Sequence, residues 1–250
     1  MGKCKRCGVP LDGLLYNTIA SKIFGIRPSD LDPDICNKCI DRPARKGSCH
    51  FMEPKNIEGN QKKIMVISGS PKKDGNTRAL IDEFIKGVRS NDAEIEVIHA
   101  AFLRYKTNGC LSCRLCQRSD KFECNISDDA TPVLKRMVDV DTIVFATPLY
   151  FFSASAQIKM IFDRMFSLYK WDNTAGTMVT PLEGKGLVVI ASAFGDMGLD
   201  ALEAPFKLTA AYTHMPFDSL LIQNAGVSGD IRKKPIFLKR AYDLGVKITR

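Results

Sequence analysis

Residues 61–250 predict an α/β fold, a three-layer sandwich with a five-stranded parallel sheet, preceded by a small metal-binding module and linker in residues 1–60. Three observations carry this. From Ile64 onward short apolar runs alternate with helical stripes, the signature of βαβ units and a parallel sheet. The stripes recur at i, i+3, i+4 and i+7, one face of a helix. Ahead of them, residues 1–60 hold five of the nine cysteines and show no strand alternation, and they end in the polar stretch 53–63, whose Pro54 and Gly59 mark a linker.

The predicted strands are Ile64–Ser68, Ile95–His99, Thr142–Ala146, Leu187–Ser192 and Leu220–Gln223. Between the first two lies a helical stripe of Leu80, Ile81, Phe84, Ile85 and Val88. Val133, Leu134, Met137 and Val138 make a second. The clearest is Ile158, Ile161, Phe162, Met165 and Phe166, with Ser153 or Ser155 as its cap. A helix across 199–214 has Pro205 inside it or at its start, and a last helix covers 235–246. Ligands of such sheets sit beyond the carboxyl ends of the strands, where strand order reverses.

The densest chemical signal is Cys110-x2-Cys113-x2-Cys116-x7-Cys124, four cysteines within fifteen residues. Four thiolates at short spacing are how proteins hold [4Fe–4S] clusters. Disulfides and zinc compete for the same residues. Zinc sites usually split their ligands between two separate knuckles. Nothing at the start of the chain (Met1-Gly2-Lys3-Cys4) resembles a signal peptide, so the expected compartment is the cytoplasm, where thiols stay reduced. The iron–sulfur reading is therefore favoured.

Two loops and a turn supply the rest. The first strand runs into Ser68-Gly-Ser-Pro-Lys-Lys-Asp-Gly-Asn-Thr77 and then a helix, so unpaired backbone N–H groups and the helix dipole make an anion site, with Ser70, Asn76 and Thr77 adding donors. The spacing is neither that of a Walker loop nor G-x-G-x-x-G. The third strand ends in Pro148, Leu149, Tyr150 and Phe151, an odd place for exposed apolar area unless a flat aromatic ligand covers it. Packing in a core or an oligomer interface is the competing use. After the fourth strand, Ala193-Phe194-Gly195-Asp-Met-Gly198 offers two glycines for close backbone approach to a planar ring.

GSPKKDGNT, PLYFFSASAQIKMIFDR and the compact cysteine motif followed by Asp128-Asp129 resemble the iron–sulfur flavoproteins, within the flavodoxin-like NAD(P)H-dependent FMN reductase superfamily. The resemblance covers roughly residues 62–250. It implies an FMN whose phosphate sits on the 68–77 loop, where Ser70, Lys72, Asn76 and Thr77 match phosphate-binding positions. Pro148, Leu149, Tyr150 and Phe151 would contact the isoalloxazine, with the Ala193–Gly198 loop on the other side. It also implies dimers or tetramers, with one subunit's cluster near another's flavin. The x7 before Cys124 lies at the long limit of the family, which makes Cys124 the least secure ligand.

Cys4-x2-Cys7 and Cys36-x2-Cys39 form two knuckles suited to one tetrahedral S4 site, which can fold a segment too small for its own core. The second knuckle lacks the proline of rubredoxins and the segment lacks tryptophan, so zinc is preferred to iron. Leu14, Leu15, Ile19, Ile23 and Phe24 give this module an apolar helical face suited to docking, and Cys49-His50 reads as incidental. No run approaches ~18 apolar residues, so no membrane span is expected. The net charge of +8 is spread along the chain and favours an acidic, ferredoxin-like electron carrier as partner. Nucleic acid is not expected, because no aromatic or arginine-rich interleaving accompanies the basic residues. The expected function is a redox flavoprotein passing electrons between a [4Fe–4S] cluster and FMN. The alternatives are an NAD(P)H-dependent flavin or quinone reductase and an electron-transfer subunit of a larger complex.

Overall fold

The computed structural model describes residues 61–172 and 177–250, together with Leu11, Arg27 and Pro28. Cys4, Cys7, Cys36, Cys39 and the apolar face beside them lie outside the described residues. The chain divides into two units between Gly59 and Asn60.

In the second unit, strands β1 (Lys63–Ser68), β2 (Glu94–His99), β3 (Thr142–Tyr150), β7 (Gly186–Ser192) and β8 (Phe217–Ile222) form one parallel sheet in the order β2-β1-β3-β7-β8. The chain leaves β1 to one side for β2 and then crosses to the other side for β3. Strand order therefore reverses between β1 and β3, which pair in register from Ile64↔Thr142 to Ser68↔Ala146. A crevice opens at such a point because the two crossover connections diverge.

Successive side chains of a strand point to opposite faces, and both faces here are buried. Ile64, Val66, Val144, Ala146, Val188 and Ile190 pack on one side with α1 (Asn76–Arg89) and α5 (Pro235–Ile248). Met65, Ile67, Ile143, Phe145, Leu187 and Val189 pack on the other with α2 (Ala130–Arg136), α3 (Ala156–Phe162) and α4 (Leu199–Tyr212). This is the three-layer arrangement the sequence predicts.

Three departures have local causes. β3 continues past Ala146 to Tyr150 and folds back through Phe151 and Phe152 onto the two-residue strand β4 (Ser153–Ala154). α3 stops at Phe162 and tightens into a 3-10 turn, Asp163–Leu168, capped at its far end by Ser155, whose Oγ accepts from the Ile158 N–H. A small hairpin, β5 (Lys170–Asp172) with β6 (Thr177–Val179), is an addition that no apolar alternation announces. Pro205 lies inside α4, which ends at Tyr212 before the left-handed His214.

α1 and α5 approach so closely that glycine is required where they cross. A Cβ on Gly87 would lie 2.1 Å from the Tyr242 carbonyl oxygen, and one on Gly245 would lie 2.4 Å from that of Phe84. A helical Gly→Ala change gains up to about 1 kcal/mol in propensity, but separating two helix backbones forfeits more. Gly245→Ala is expected to lower stability by about 1–3 kcal/mol, read as a reduced midpoint in urea. A midpoint at or above that of the parent would show that the helices can part without loss.

Candidate cofactor crevice and cysteine site

The loop after β1 forms the first wall of the crevice. Ser68 and Ser70 are buried, and the Ser70 Oγ accepts from the Lys72 N–H at 3.3 Å, shaping the turn. Lys72 itself is exposed. Gly69 bonds across the reversal point, its N–H donating to the Ala146 carbonyl at 2.8 Å. A Cβ there would strike Ile158 and Ser155 at 2.3 and 2.5 Å, so only glycine lets this loop lie against the start of α3. α1 then begins at Asn76 with no side-chain cap. Its first-turn N–H groups, beside the buried Thr77, are what the loop offers an anion. Asn76 spends its side chain elsewhere: its amide donates to the carbonyls of Gly226 and Val227 and accepts from the N–H groups of Gly229 and Ile231.

The second wall is the β3–β4 hairpin. Pro148 and Leu149 are half-buried, Tyr150 is exposed, and Phe151 is completely so. Phe151 and Phe152 adopt φ of +44° and +63°, a pair of left-handed residues in a two-residue turn where Asn-Gly is the usual choice. Each such residue costs of order 1–3 kcal/mol and persists only where its surroundings enforce it. Here Phe152 packs on Gly198, whose φ is +84° and whose Cβ, if present, would lie 2.2 Å from the ring. Ser155 locks the hairpin's base. Its N–H donates to Thr147 Oγ1 at 3.0 Å, and its hydroxyl donates to the Gly69 carbonyl at 2.8 Å.

The loop after β7 supplies the third wall. Ala193 is buried, Phe194 and Met197 are 74% and 70% exposed, and a Cβ on Gly195 would meet open space. The three loops thus bring the sequence-predicted crevice residues to one end of the sheet. Four solvent-exposed aromatic side chains there, Tyr150, Phe151, Phe152 and Phe194, give a planar, apolar ligand something to cover.

The cysteines belong to the long connection between β2 and α2. Cys110, Cys113, Cys116 and Cys124 all line one cavity, with Cys116 buried and Cys110 and Cys113 exposed. No three His, Cys, Asp or Glu side chains among the described residues converge on a point that would hold a single ion. Gly109, Ser112 and Arg114 take φ of +112°, +53° and +54°. These turns bring one backbone N–H, that of Ser112, onto a cysteine sulfur. Three donors already reach the sulfurs: Ser112 N–H to Cys110, the Gln117 amide to Cys116 and Arg164 Nη2 to Cys124, at 3.4–3.5 Å. The buried Arg164 Nε and Ser167 Oγ, both on cavity-lining residues, have no partner. A thiolate-ligated sulfide cluster matches this set of thiols, inward donors and orphaned polar atoms. The donor chemistry fits.

Sequence reasoning missed what holds this loop. Arg164 Nη1 donates to both Asp128 oxygens at 2.9 and 2.8 Å, with the two side chains 0% and 1% exposed. Arg164 Nη2 also donates to the Ile126 carbonyl and Thr131 Oγ1. Asp128 accepts the Lys106 N–H, and Asp129 accepts the Arg104 N–H and side chain. The paired aspartates therefore staple the beginning of the loop to its end. Burial alone would raise the Asp128 carboxyl, but the Lys106 N–H, the Arg164 guanidinium and the Ala130 N–H outweigh it and hold it below the ordinary carboxylate range. Asp129 is held low by the Arg104 backbone and side-chain bonds. Burial and then the Asp128 charge push the neighbouring Tyr105 hydroxyl up to about 12.

Residues 62–218 match the NADPH-dependent FMN reductase family. The chain belongs to this family. Its fold is the flavodoxin-like one. An iron-sulfur flavoprotein of Methanocaldococcus jannaschii is 38% identical over 102 residues, 41% of this chain and 51% of that protein. One from Archaeoglobus fulgidus is 32% identical over 103 residues, 41% of this chain and 45% of that protein. The chain thus spans about half the length of these curated relatives. Among solved structures, the NAD(P)H:quinone oxidoreductase from Methanothermobacter marburgensis superposes with a TM-score of 0.61 at 18% identity, covering 76% of this chain and 98% of that one. The FMN-dependent NADH-azoreductase of Bacillus anthracis, solved with FMN, gives 0.58 at 15% identity, covering 76% and 100%.

Because the folded Asp128 titrates below its unfolded value, its contribution is present above about pH 3.9 and is lost as pH falls through the folded value. Asp128→Asn removes it at neutral pH and leaves Arg164 buried without a counter-charge, at a cost of about 3–5 kcal/mol. Denaturation of Asp128→Asn should therefore depend less on pH between 2 and 5 than that of the parent. Parallel pH profiles would refute the assignment.

Proposed function

We propose that this protein is a redox flavoprotein that passes electrons between a [4Fe–4S] cluster and FMN. The observation that carries the reading is the meeting of four thiols and a buried cation around one cavity, the cation standing on the helical stretch whose other end closes the flavin crevice. The family membership and the iron-sulfur flavoproteins among the relatives support it.

The first-turn N–H groups of α1, that of Asn76 among them, with Ser68, Ser70, Lys72 and Thr77, would hold the FMN phosphate end, while the Asn76 amide stays on the 225–231 loop. Pro148, Leu149, Tyr150 and Phe151 would cover one side of the ring and Ala193, Phe194 and Gly195 the other. Cys110, Cys113, Cys116 and Cys124 would hold the cluster. When bound, FMN supplies one- and two-electron chemistry and the cluster one-electron chemistry. The protein supplies separation and electrostatics. Ser155 at the crevice and Arg164 at the cavity are nine residues apart on one helical stretch, about 15 Å at the rise of α and 3-10 turns. The hydrogen bonds to the sulfurs tune the potential and keep the ligands in place.

The proposal extends to an acidic, ferredoxin-like carrier as electron partner, to a homo-oligomer, to a cytoplasmic location and to zinc, rather than iron, on Cys4, Cys7, Cys36 and Cys39. Among the described residues no helix is long and apolar enough to cross a membrane. A second reading, an NAD(P)H-dependent flavin or quinone reductase, is favoured by the family's own description.

Anaerobically prepared protein is expected to contain one FMN and about four iron and four sulfide per cysteine motif, with zinc beyond that. Cys116→Ser should abolish the iron and sulfide while FMN stays bound. NADPH alone should bleach the flavin slowly, and a reduced ferredoxin rapidly. Flavin without iron in oxygen-free material would sink the relay, and rapid bleaching by NADPH would transfer the assignment to the reductase reading.

A further inference from the structure

We propose that Arg164 is a positioning residue that sets the reduction potential of the sulfur-ligated centre: a buried guanidinium, anchored by Asp128, that fixes Cys124 and stabilises negative charge added to the cavity. The inference rests on the cluster reading above and goes beyond it.

The cavity wall includes Arg114 and Arg164 but no carboxylate. Arg114 lies on the exposed turn, where solvent screens it. Arg164 is fully buried, and Asp128, its counter-charge, is not among the residues of the wall. The cation thus faces the thiols with the anion behind it. Burying such a pair brings little or no net stability, since desolvation offsets the attraction. Its fork has a different product: Nη1 is committed to Asp128, and the two Nη2 hydrogens are shared among the Ile126 carbonyl, Thr131 Oγ1 and the Cys124 sulfur. Lysine, a point charge on a flexible stem, cannot reproduce that set. Cys124 stands seven residues beyond the regular C-x2-C-x2-C spacing, so it is the ligand that most needs an external anchor. The Arg164 Nε–H has no partner.

When the centre is reduced, one electron enters, no bond forms or breaks and no proton moves, so the cavity becomes more negative by one charge. A fixed cation within hydrogen-bonding distance of a ligand favours that state. Removing it lowers the potential, and removing its counter-ion raises the potential.

Potentiometric titration followed by electron paramagnetic resonance, on anaerobic holoprotein, tests this. Arg164→Gln should shift the ratio of reduced to oxidised centre at least tenfold toward oxidised at a fixed potential, which is about 59 mV for one electron. Arg164→Lys should shift it less, and Asp128→Asn should shift it in the opposite direction. FMN content should match the parent in all three. Should Arg164→Gln fail to hold iron, Arg164→Lys and Asp128→Asn decide the matter by the opposite signs of their shifts. Fully loaded variants with the parent's potential, or shifts of one sign in every variant, would overturn the role of Arg164 alone. A parent protein without iron would overturn the cluster reading first, and this inference with it.

Discussion

The Arg164–Asp128 pair is the constraint on which the cysteine site depends. Between Leu103 and Asp129 the only regular structure is a single 3-10 turn, Leu115–Arg118. A connection of that length inside a compact domain is normally either functional or disordered. Ordering it costs backbone entropy of order 1–2 kcal/mol per residue, and few apolar side chains in the segment are buried to offset that. What holds it is polar and local: two adjacent carboxylates that accept from Arg104 and Lys106 on the outgoing chain, and one guanidinium that binds the returning chain from below. The pair is worth little as stability taken alone, yet removing either partner leaves an uncompensated charge in the interior. The loop has one conformation because the alternatives strand that charge.

The crevice is held by a different means. Its aromatic wall stands on two consecutive left-handed phenylalanines, which a chain selected for stability alone would replace with Asn-Gly. Phe151 gains nothing from burial in return, since it is fully exposed. The strain is kept because Ser155, Thr147 and Gly69 tie both ends of the hairpin to β1 and because Gly198 leaves room for Phe152. The cost is recovered only by something that covers the ring. This is the physical case for a bound planar ligand, and it stands apart from the family match.

Most of the fold was legible in the sequence because a doubly covered parallel sheet needs long apolar runs that nothing else explains. The five predicted strands are present, and Ser155 is the cap that the stripe after it required. The extension of β3 was not legible, since Thr147-Pro148 reads as a strand end and Phe-Phe is a poor turn signal. Nor was the β5–β6 hairpin, two strands of three residues each. At the candidate site the cysteines were evident from spacing, whereas Arg164 was not: an arginine at the end of a helical stripe usually lies in solvent. Only its coincidence with Asp128, thirty-six residues earlier, could have hinted at a pair, and sequence separation conceals such contacts. Asn76 shows the converse. Its position in the loop suggests a ligand contact, but the amide closes the 225–231 loop over α1, a role set by tertiary neighbours.

The two sites are coupled through geometry. α3 begins at the residue that locks the crevice and runs into the turn that carries the cavity's cation, so their separation is set by a helix length rather than by loop conformation. One residue inserted between Ala156 and Phe162 would rotate everything after it by about 100°. Arg164 would then leave Asp128, and Ser167 would leave the cavity wall, while the crevice stayed intact. A rigid element is what such a spacing requires, because transfer between two bound groups depends steeply on distance and loops fluctuate. The Phe145–Phe162–Phe206 cluster, with centroids 4.7–5.6 Å apart, pins the end of α3, where it passes into the 3-10 turn, to the sheet and to α4. That packing excludes the sliding motion that would otherwise blur the distance. The same apolar side chains that make the sheet stable therefore also fix how far the crevice lies from the cysteine cavity.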